Sequence, residues 1–264
     1  MYVNASNPNK ATEKLLRYNQ LYIAAKEGQY GEDVGFNTVY AVKPDVSTTE
    51  TIIKESTDSI IIPSTADNFG VASNSSDDTL LGTGCRTIYV EGLDENGDKV
   101  NETLNMNGVT PAYTTGLFSR VNRMFSVTAG STSPNIGTIR CGTGAFTAGV
   151  PANIYTTMIP DIGWTRQAVC SLPTGYFPVL MQCTIYAGAG REVEFSVYGK
   201  FDNGGWIKTF TFAANESVTN VKFAVGGIYY DKMDIQVKAK SLIPGQTVNT
   251  FFLCEFVLID QDLI

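Results

Sequence analysis

The 264-residue sequence contains no histidine, the side chain that enzymes use most often as a general acid or base. A Ser-His-Asp triad, a Cys-His pair and a His-containing zinc site all need an imidazole. The cysteines form no CxxC pair and their number is odd; they are Cys85, Cys141, Cys170, Cys183 and Cys254. We therefore predict reduced, buried thiols, with no metal site and no cofactor.

Asp94, Asn96 and Asp98 lie at alternate positions, a spacing found in calcium-binding loops. Such a loop requires glycine at its sixth position and glutamate at its twelfth, where this sequence has Lys99 and Asn105. The segment LDENGD has the composition of a hairpin turn, with Asn-Gly as its central pair. We predict a turn here and no cation site.

Asp231 and Asp234, in GGIYYDKMD, form the nearest acidic pair in an aromatic context, and glycoside hydrolysis uses two carboxylates across a cleft. Two such residues on a strand need not share a face. The segments GTGCRT and GAGR lack the Gly-Lys-Ser/Thr ending of a phosphate-binding loop. The sequence predicts no catalytic residue, and we expect a protein that is not an enzyme.

Four aromatic residues could bind a sugar by stacking, and they are Trp164, Trp206, Tyr229 and Tyr230. The alternative is that Trp206 packs across its own hairpin while the two tyrosines lie on opposite faces of a sheet. A groove lined by Trp164 and Tyr230 would favour sugar binding.

Composition places the chain among ordered, uncharged-polar β proteins, with 43% hydrophobic and 17% charged residues and 25 glycines. The net charge of -7 disfavours direct contact with nucleic acid, which needs a basic face. The beginning, MYVNASNPNK, is unlike a secretory signal, and no apolar run approaches the ~20 residues that span a bilayer. We expect a chain made in the cytoplasm, with no membrane partner.

One segment, SNPNKATEKLLRYNQLYIAAKEG, has the pattern of an amphipathic helix, with Asn7 as its cap and Gly28 at its end. We expect residues 1–28 to be an N-terminal helical arm. Four apolar side chains are predicted to contact a neighbouring subunit or another protein of an assembly: Leu15, Leu16, Tyr18 and Tyr22. The alternative is that the helix covers an edge or face of its own sheet.

Short β-branched runs follow the arm at 37–42, 50–53 and 59–62, and residues 67–78 have the composition of a polar loop. A hairpin about Asn96-Gly97 is followed by strands at 119–128 and 136–141, which suggests a meander. The Gly- and Ala-rich segment 142–153 suits a linker. We therefore place a first β domain at residues 29–160.

Alternation is clearest in the last hundred residues, where Val193, Phe195 and Val197 point one way, and FDNGGW predicts a hairpin. Residues 233–239 alternate as in a half-buried strand, and FFLCEFVLI is apolar on both faces. A strand covered on both sides lies centrally in a sandwich or beneath a neighbouring subunit. We predict a C-terminal β-sandwich domain at residues 161–264.

Two parts of the sequence resemble virion structural proteins of tailed bacteriophages. The first is TGCRTIYVEGLDENGDKVNETLNMNGVT with FSRVNRMFSV after it, and the second is EVEFSVYGKFDNGGWIKTFTF with KMDIQVKAK and FVLID after it. The resemblance implies a building block of a virion and carries across no catalytic residue. It also implies that the chain is made in the host cytoplasm and located in the virion.

We expect an all-β protein with two β-sandwich or jelly-roll-like domains preceded by the helical arm. Its expected function is a capsid decoration or other head-associated role, acting through contacts with the major capsid protein or with neck and tail components. A homo-oligomer, with a trimer preferred, fits the closed symmetry of such assemblies. The alternative function is a tail-fibre or appendage module that binds host-surface glycans.

Overall fold

The computed structural model describes residues 34–188, 191–201, 204–215, 218–228, 232–245 and 247–260. All regular structure in these residues is β, so the expected all-β class is confirmed. The helical arm and its four predicted contact residues, Leu15, Leu16, Tyr18 and Tyr22, lie outside the described residues. Within the described part of the chain, no helix is long and apolar enough to cross a membrane.

Sixteen strands occur in the described residues. The first nine are β1 (Val34–Val46), β2 (Thr51–Ile52), β3 (Gly70–Ser73), β4 (Cys85–Leu93), β5 (Lys99–Asn105), β6 (Ala112–Tyr113), β7 (Arg120–Ala129), β8 (Ile139–Thr147) and β9 (Val150–Met158). The others are β10 (Val169–Ser171), β11 (Tyr176–Ala187), β12 (Glu192–Lys200), β13 (Ile207–Asn215), β14 (Val218–Ile228), β15 (Asp234–Ser241) and β16 (Val248–Asp260).

One pair of sheets, which we name the terminal unit, is formed by strands from both ends of the described chain. Its first sheet has the order β1-β16-β11-β14, and its second has β10-β15-β12-β13 with β2 paired to β15. The sheets bury a common core, in which the rings of Phe195 and Phe252 lie 6.4 Å apart. β16 lies between β1 and β11, which confirms the central position predicted for the apolar run FFLCEFVLI.

The other pair of sheets, which we name the inserted unit, is formed by β3 to β9. One sheet has the order β6-β3-β8-β9 and the other has β5-β4-β7. Their shared core is separate from that of the terminal unit and includes Phe69, Ile88, Phe118 and Met124. The inserted unit therefore interrupts the terminal unit between β2 and β10.

This insertion differs from the division at residue 160 that the sequence suggested. β1 pairs with β16 over most of its length, and Val39, Ala41, Val46 and Ile53 are buried in the core of the terminal unit. Residues 34–53, which the sequence placed in the first β domain, thus pack with residues 168–258. The long-range pairing of β1 with β16 leaves no signal in local composition, which is why a boundary drawn from Gly and Pro content missed it.

Four local expectations are corrected by the strand pairing. The sheet order β5-β4-β7 is not a meander, because β7 pairs with β4 and not with β5. Residues 67–78 contain the fully buried strand β3, and 142–153 form the β8–β9 hairpin in place of a linker. Residues 59–62 are not a strand. The predicted hairpin about Asn96-Gly97 is confirmed, with Leu93 paired to Lys99.

Hydrogen bonds join the two units along the seam between them. The segments that enter and leave the inserted unit lie side by side, joined by hydrogen bonds from the Glu55 amide to the Arg166 carbonyl (3.2 Å) and from the Ala168 amide to the Ile53 carbonyl (2.8 Å). The β4–β5 turn contacts the terminal unit through Thr174, whose hydroxyl donates to the Asn96 carbonyl at 2.8 Å. These contacts fix the position of the hairpin that carries the first part of the resemblance.

Candidate functional site

The predicted turn residues Asp94, Asn96 and Asp98 stabilise the β4–β5 hairpin. The Asp94 carboxylate accepts hydrogen bonds from the Asn96 amide at 2.8 Å and from the Asp98 amide at 2.9 Å. Gly97 has φ of +86°, a conformation that glycine adopts without a steric cost. The carboxylate thus caps the turn that the sequence predicted.

The acidic pair Asp231 and Asp234 does not form a site in the described residues, because Asp231 lies outside them. Asp234 is only 2% exposed and accepts bonds from Arg120 Nε at 2.7 Å, Arg120 Nη2 at 3.2 Å and the Ser171 hydroxyl at 2.5 Å. Arg120 comes from β7 of the inserted unit. The carboxylate therefore joins the two units in a fixed ion pair.

Three cysteines are buried free thiols: Cys85, Cys141 and Cys170. Cys183 is also buried. Burial raises the pKa of Cys85 to about 11 and that of Cys170 to about 12. Burial also raises the pKa of Cys141 far above its ordinary value. Cys85, Cys141 and Cys170 are therefore unionised at neutral pH. Only the thiolate is a good nucleophile or metal ligand, so these three groups act as side chains of the core. Among the described residues, no group of three or more Cys, Asp or Glu is arranged to hold a metal ion.

Of the four aromatic candidates for sugar binding, Tyr229 and Tyr230 lie outside the described residues. Trp206 is about one-third exposed beside the β12–β13 turn. Trp164 is 38% exposed and stacks on Tyr40 of β1, with ring centroids 4.8 Å apart. Trp164 lies in a cleft between the two units. The sequence did not reveal which other residues line this cleft.

A buried carboxylate that sequence patterns did not single out organises one end of the inserted unit. Asp78 accepts hydrogen bonds from the amides of Cys85 (2.8 Å), Ile136 (2.9 Å) and Gly137 (2.7 Å), and from the Ser73 hydroxyl (2.6 Å). Carboxylates held by several donors in this way make strong, charge-assisted bonds. Asp78 thereby ties loop 77–84 to the two neighbouring segments.

The backbone of loop 77–84 is fixed by further hydrogen bonds. The Leu80 amide donates to the Met106 carbonyl at 3.1 Å, and the Gly84 amide donates to the Asp77 carbonyl at 3.0 Å. Arg86 Nε donates to the Gly82 carbonyl at 2.9 Å. A loop held along its length in this way presents its side chains in one arrangement.

The side chains at the tip of this loop are apolar and exposed. Leu81 is 91% exposed and Leu80 is 47% exposed, and Val109 on the adjoining turn is also exposed. The turn is joined to the loop by the pairing of Thr79 with Asn107 and by the bond from the Gly108 amide to the Asp78 carbonyl at 2.8 Å. We name Leu80, Leu81 and Val109 the leucine knob. A preformed apolar projection can enter a partner's pocket at little entropic cost.

The sequence contained a weak signal for this site. The pair Leu80-Leu81 interrupts a stretch of Ser, Asp, Thr and Gly, and two adjacent leucines in a polar loop are not needed by a solvated connection. Sequence composition does not decide whether such leucines are buried or exposed, whereas the structure exposes both.

Comparisons with known proteins give no family assignment. No family model matches the chain, and no curated protein matches it. Among solved structures, the chain is similar to infectious bursal disease virus Gx strain at 7% identity and a TM-score of 0.23, over 86% of this chain and 76% of that chain. It is also similar to the Gt strain of that virus at 11% identity and a TM-score of 0.21, over 86% and 72%. The VP2 subviral particle of the virus matches at 11% identity and a TM-score of 0.21, over 86% and 72%. TM-scores this low carry no argument about the function of this chain.

Proposed function

We propose that this protein is a non-enzymatic structural component of a tailed-bacteriophage virion, most directly a capsid decoration or other head-associated protein. Its partners would be the major capsid protein or neck and tail components, and copies of itself, with a trimer preferred. The sequence resemblance suggests this class. In this proposal two sandwich-like units, and the predicted arm at residues 1–28, act by contact alone after synthesis in the host cytoplasm.

The observation that carries the proposal is the leucine knob on its anchored loop. Exposing Leu81 gains the free protein nothing, whereas burying a leucine side chain is worth about 1.5–3 kcal/mol. The same loop is held in place by the four bonds to Asp78. Contact with a partner would bury this apolar tip and recover that free energy, which favours an interface at loop 77–84.

The outer face of the β5-β4-β7 sheet supports the same function because its side chains are already ordered. Arg123 forms an ion pair with Glu91 at 2.7 Å, and the ring of Tyr89 lies 4.7 Å from that of Phe125. Thr87 and Thr128 share a hydrogen bond of 2.6 Å. A surface whose rotamers are fixed before contact loses less side-chain entropy when a partner binds.

The proposal is tested by Leu81→Ser in the full chain. We expect an unchanged melting temperature for the isolated protein, because the side chain contacts solvent, and a loss of incorporation into virions. Incorporation is measured by quantifying the protein in purified particles produced with the variant as the only copy.

The matched control is Ile207→Thr, which also changes an exposed apolar side chain, here on β13 of the terminal unit. Normal incorporation of Ile207→Thr together with loss of Leu81→Ser supports the proposal. Full incorporation of Leu81→Ser, or absence of the wild-type chain from purified particles, would overturn it.

A further inference from the structure

A cleft of about 320 Å³ lies between the terminal and inserted units. Thr38 to Tyr40 of β1 form one wall and Asn122 to Phe125 of β7 form the other. Five residues of the following segment also line the cleft: Trp164, Thr165, Gln167, Val169 and Cys170. This segment is held to β7 by the bond from the Thr165 amide to the Met124 carbonyl at 2.9 Å. The volume falls within the range of about 300–1,000 Å³ typical of small-molecule sites.

Trp164 offers a flat apolar surface in this cleft. One face of the indole stacks on Tyr40 at 4.8 Å, and the Arg166 guanidinium lies 5.1 Å from the indole centroid and 5.9 Å from the Tyr40 centroid. The guanidinium therefore lies over both rings of the stacked pair. With Trp164 38% exposed, part of the indole stays accessible to a ligand.

Gln167 supplies unsatisfied polar atoms to the same cleft. Its side chain is 5% exposed, yet neither Oε1 nor Nε2 has a hydrogen-bond partner in the protein. Leaving a buried polar group unpaired costs about 1–3 kcal/mol, so native proteins rarely do it without a ligand or an ordered water. By contrast, the Asn122 amide is fully engaged, accepting from the Ser171 amide at 2.7 Å and donating to the Ser171 carbonyl at 3.0 Å.

The charges around the cleft are balanced. Arg123 pairs with Glu91 at 2.7 Å, and Arg166 pairs with Glu55 at 3.4 Å. An anionic ligand would have to compete with these carboxylates for the guanidinium groups. The arrangement thus favours a neutral ligand with an apolar face and adjacent hydroxyl groups.

We propose that this cleft binds a neutral pyranose, whose C–H face stacks on Trp164 while two neighbouring hydroxyls bond to Gln167. Both amide atoms are buried in the free protein, so the Gln167 side chain turns toward the cleft when the sugar binds. One hydroxyl then donates to Oε1 and the next accepts from Nε2, which satisfies both orphaned atoms at once. The site goes beyond the proposed virion role, since it operates wherever the protein is located. It also gives the glycan-binding alternative a defined location, with Tyr40 and Gln167 in place of the predicted Tyr230.

The test is a tryptophan-fluorescence titration of the full chain with the methyl glycosides of glucose, galactose and mannose, followed by a glycan array. We expect at least one neutral sugar to bind saturably. Gln167→Leu keeps a side chain of similar size and is expected to weaken binding at least tenfold without lowering the melting temperature. Trp164→Ala should abolish binding. Because this variant lacks the fluorophore of the cleft, its binding is measured by calorimetry.

Trp206→Ala is the matched control, because Trp206 is similarly exposed but lies away from the cleft, and it should bind as wild type does. Three results would overturn the proposal: no neutral sugar binds, Gln167→Leu binds normally, or only sialylated and uronic-acid glycans bind. A crystal structure grown with saturating sugar in which Gln167 contacts only water would do the same. These measurements need no virion, so failure here is distinct from failure of particle incorporation.

Discussion

Removing the Asp234 carboxylate should lower the free energy of unfolding and weaken the coupling between the two units, because this group pairs with Arg120 across the seam. Asp234 is 2% exposed and the Arg120 side chain is 17% exposed, so neither charge is well solvated. In Asp234→Ala the guanidinium retains its bonds to the carbonyls of Pro63 and Ser119 but loses its ion pair with Asp234. The Ser171 hydroxyl loses its acceptor as well.

The expected loss of stability follows from burial. Breaking a buried ion pair by removing one partner costs about 3–5 kcal/mol, since the remaining charge stays in a poorly hydrated site. The same sheet provides a reference in Arg123 and Glu91, where the Arg123 side chain is 55% exposed. For such an exposed pair, Glu91→Ala should cost about 0–1 kcal/mol.

The two variants are compared by equilibrium urea unfolding, followed by circular dichroism and by the fluorescence of Trp164, which lies at the seam. If Asp234→Ala instead unfolds in two separate transitions, one for each unit, this also shows that the ion pair couples the units. The double variant Arg120→Met/Asp234→Leu should recover most of the lost stability, because apolar side chains then replace both members of the buried pair. A cost below about 1 kcal/mol for Asp234→Ala would show that the pair is hydrated and refute the reasoning.

Two further predictions concern the terminal unit and the thiols. A fragment of residues 163–264 should not fold alone, because it lacks β1 and the buried Val39, Ala41 and Ile53; a cooperative thermal transition measured by circular dichroism would contradict this. The thiols should not react with Ellman's reagent in the native protein at pH 8 and should all react after denaturation without reductant. Since burial raises the pKa of Cys85 from 9.0 to about 11, the folded state holds its proton more tightly than the unfolded state. The stability contributed by this thiol is complete below pH 9 and should fall between pH 9 and 11, as measured by urea unfolding at each pH.

Several features of the fold could be predicted from the sequence because they depend on neighbours along the chain. The Asn96-Gly97 turn is set by the residues' own backbone preferences, and its strands follow by local pairing. The central position of β16 follows from its apolar character on both faces. The class of the protein was likewise fixed by composition and by the spacing of β-branched runs.

The candidate sites were less predictable because their residues meet only in three dimensions. Gln167 is an ordinary polar residue in the sequence, and its unpaired amide becomes evident only when β1 and β7 form the walls of the cleft. Asp78 lies in a segment with the composition of a solvated loop, yet it is fully buried. Two of its four hydrogen-bond donors, Ile136 and Gly137, lie more than fifty residues later in the sequence. Local sequence patterns do not reveal such a contact.

The sequence by itself therefore determined the β class, the Asn96-Gly97 turn and the absence of an imidazole. The tertiary structure decided the insertion of β3 to β9 between β2 and β10, because the partner of β1 is β16, some two hundred residues later in the chain. It also decided which acidic groups are buried, since Asp234 meets Arg120 only across the seam. Alternation along a strand specifies the face of the sheet on which each side chain lies. Which strand pairs with it, and which sheet packs on that face, depends on contacts between residues far apart in the sequence.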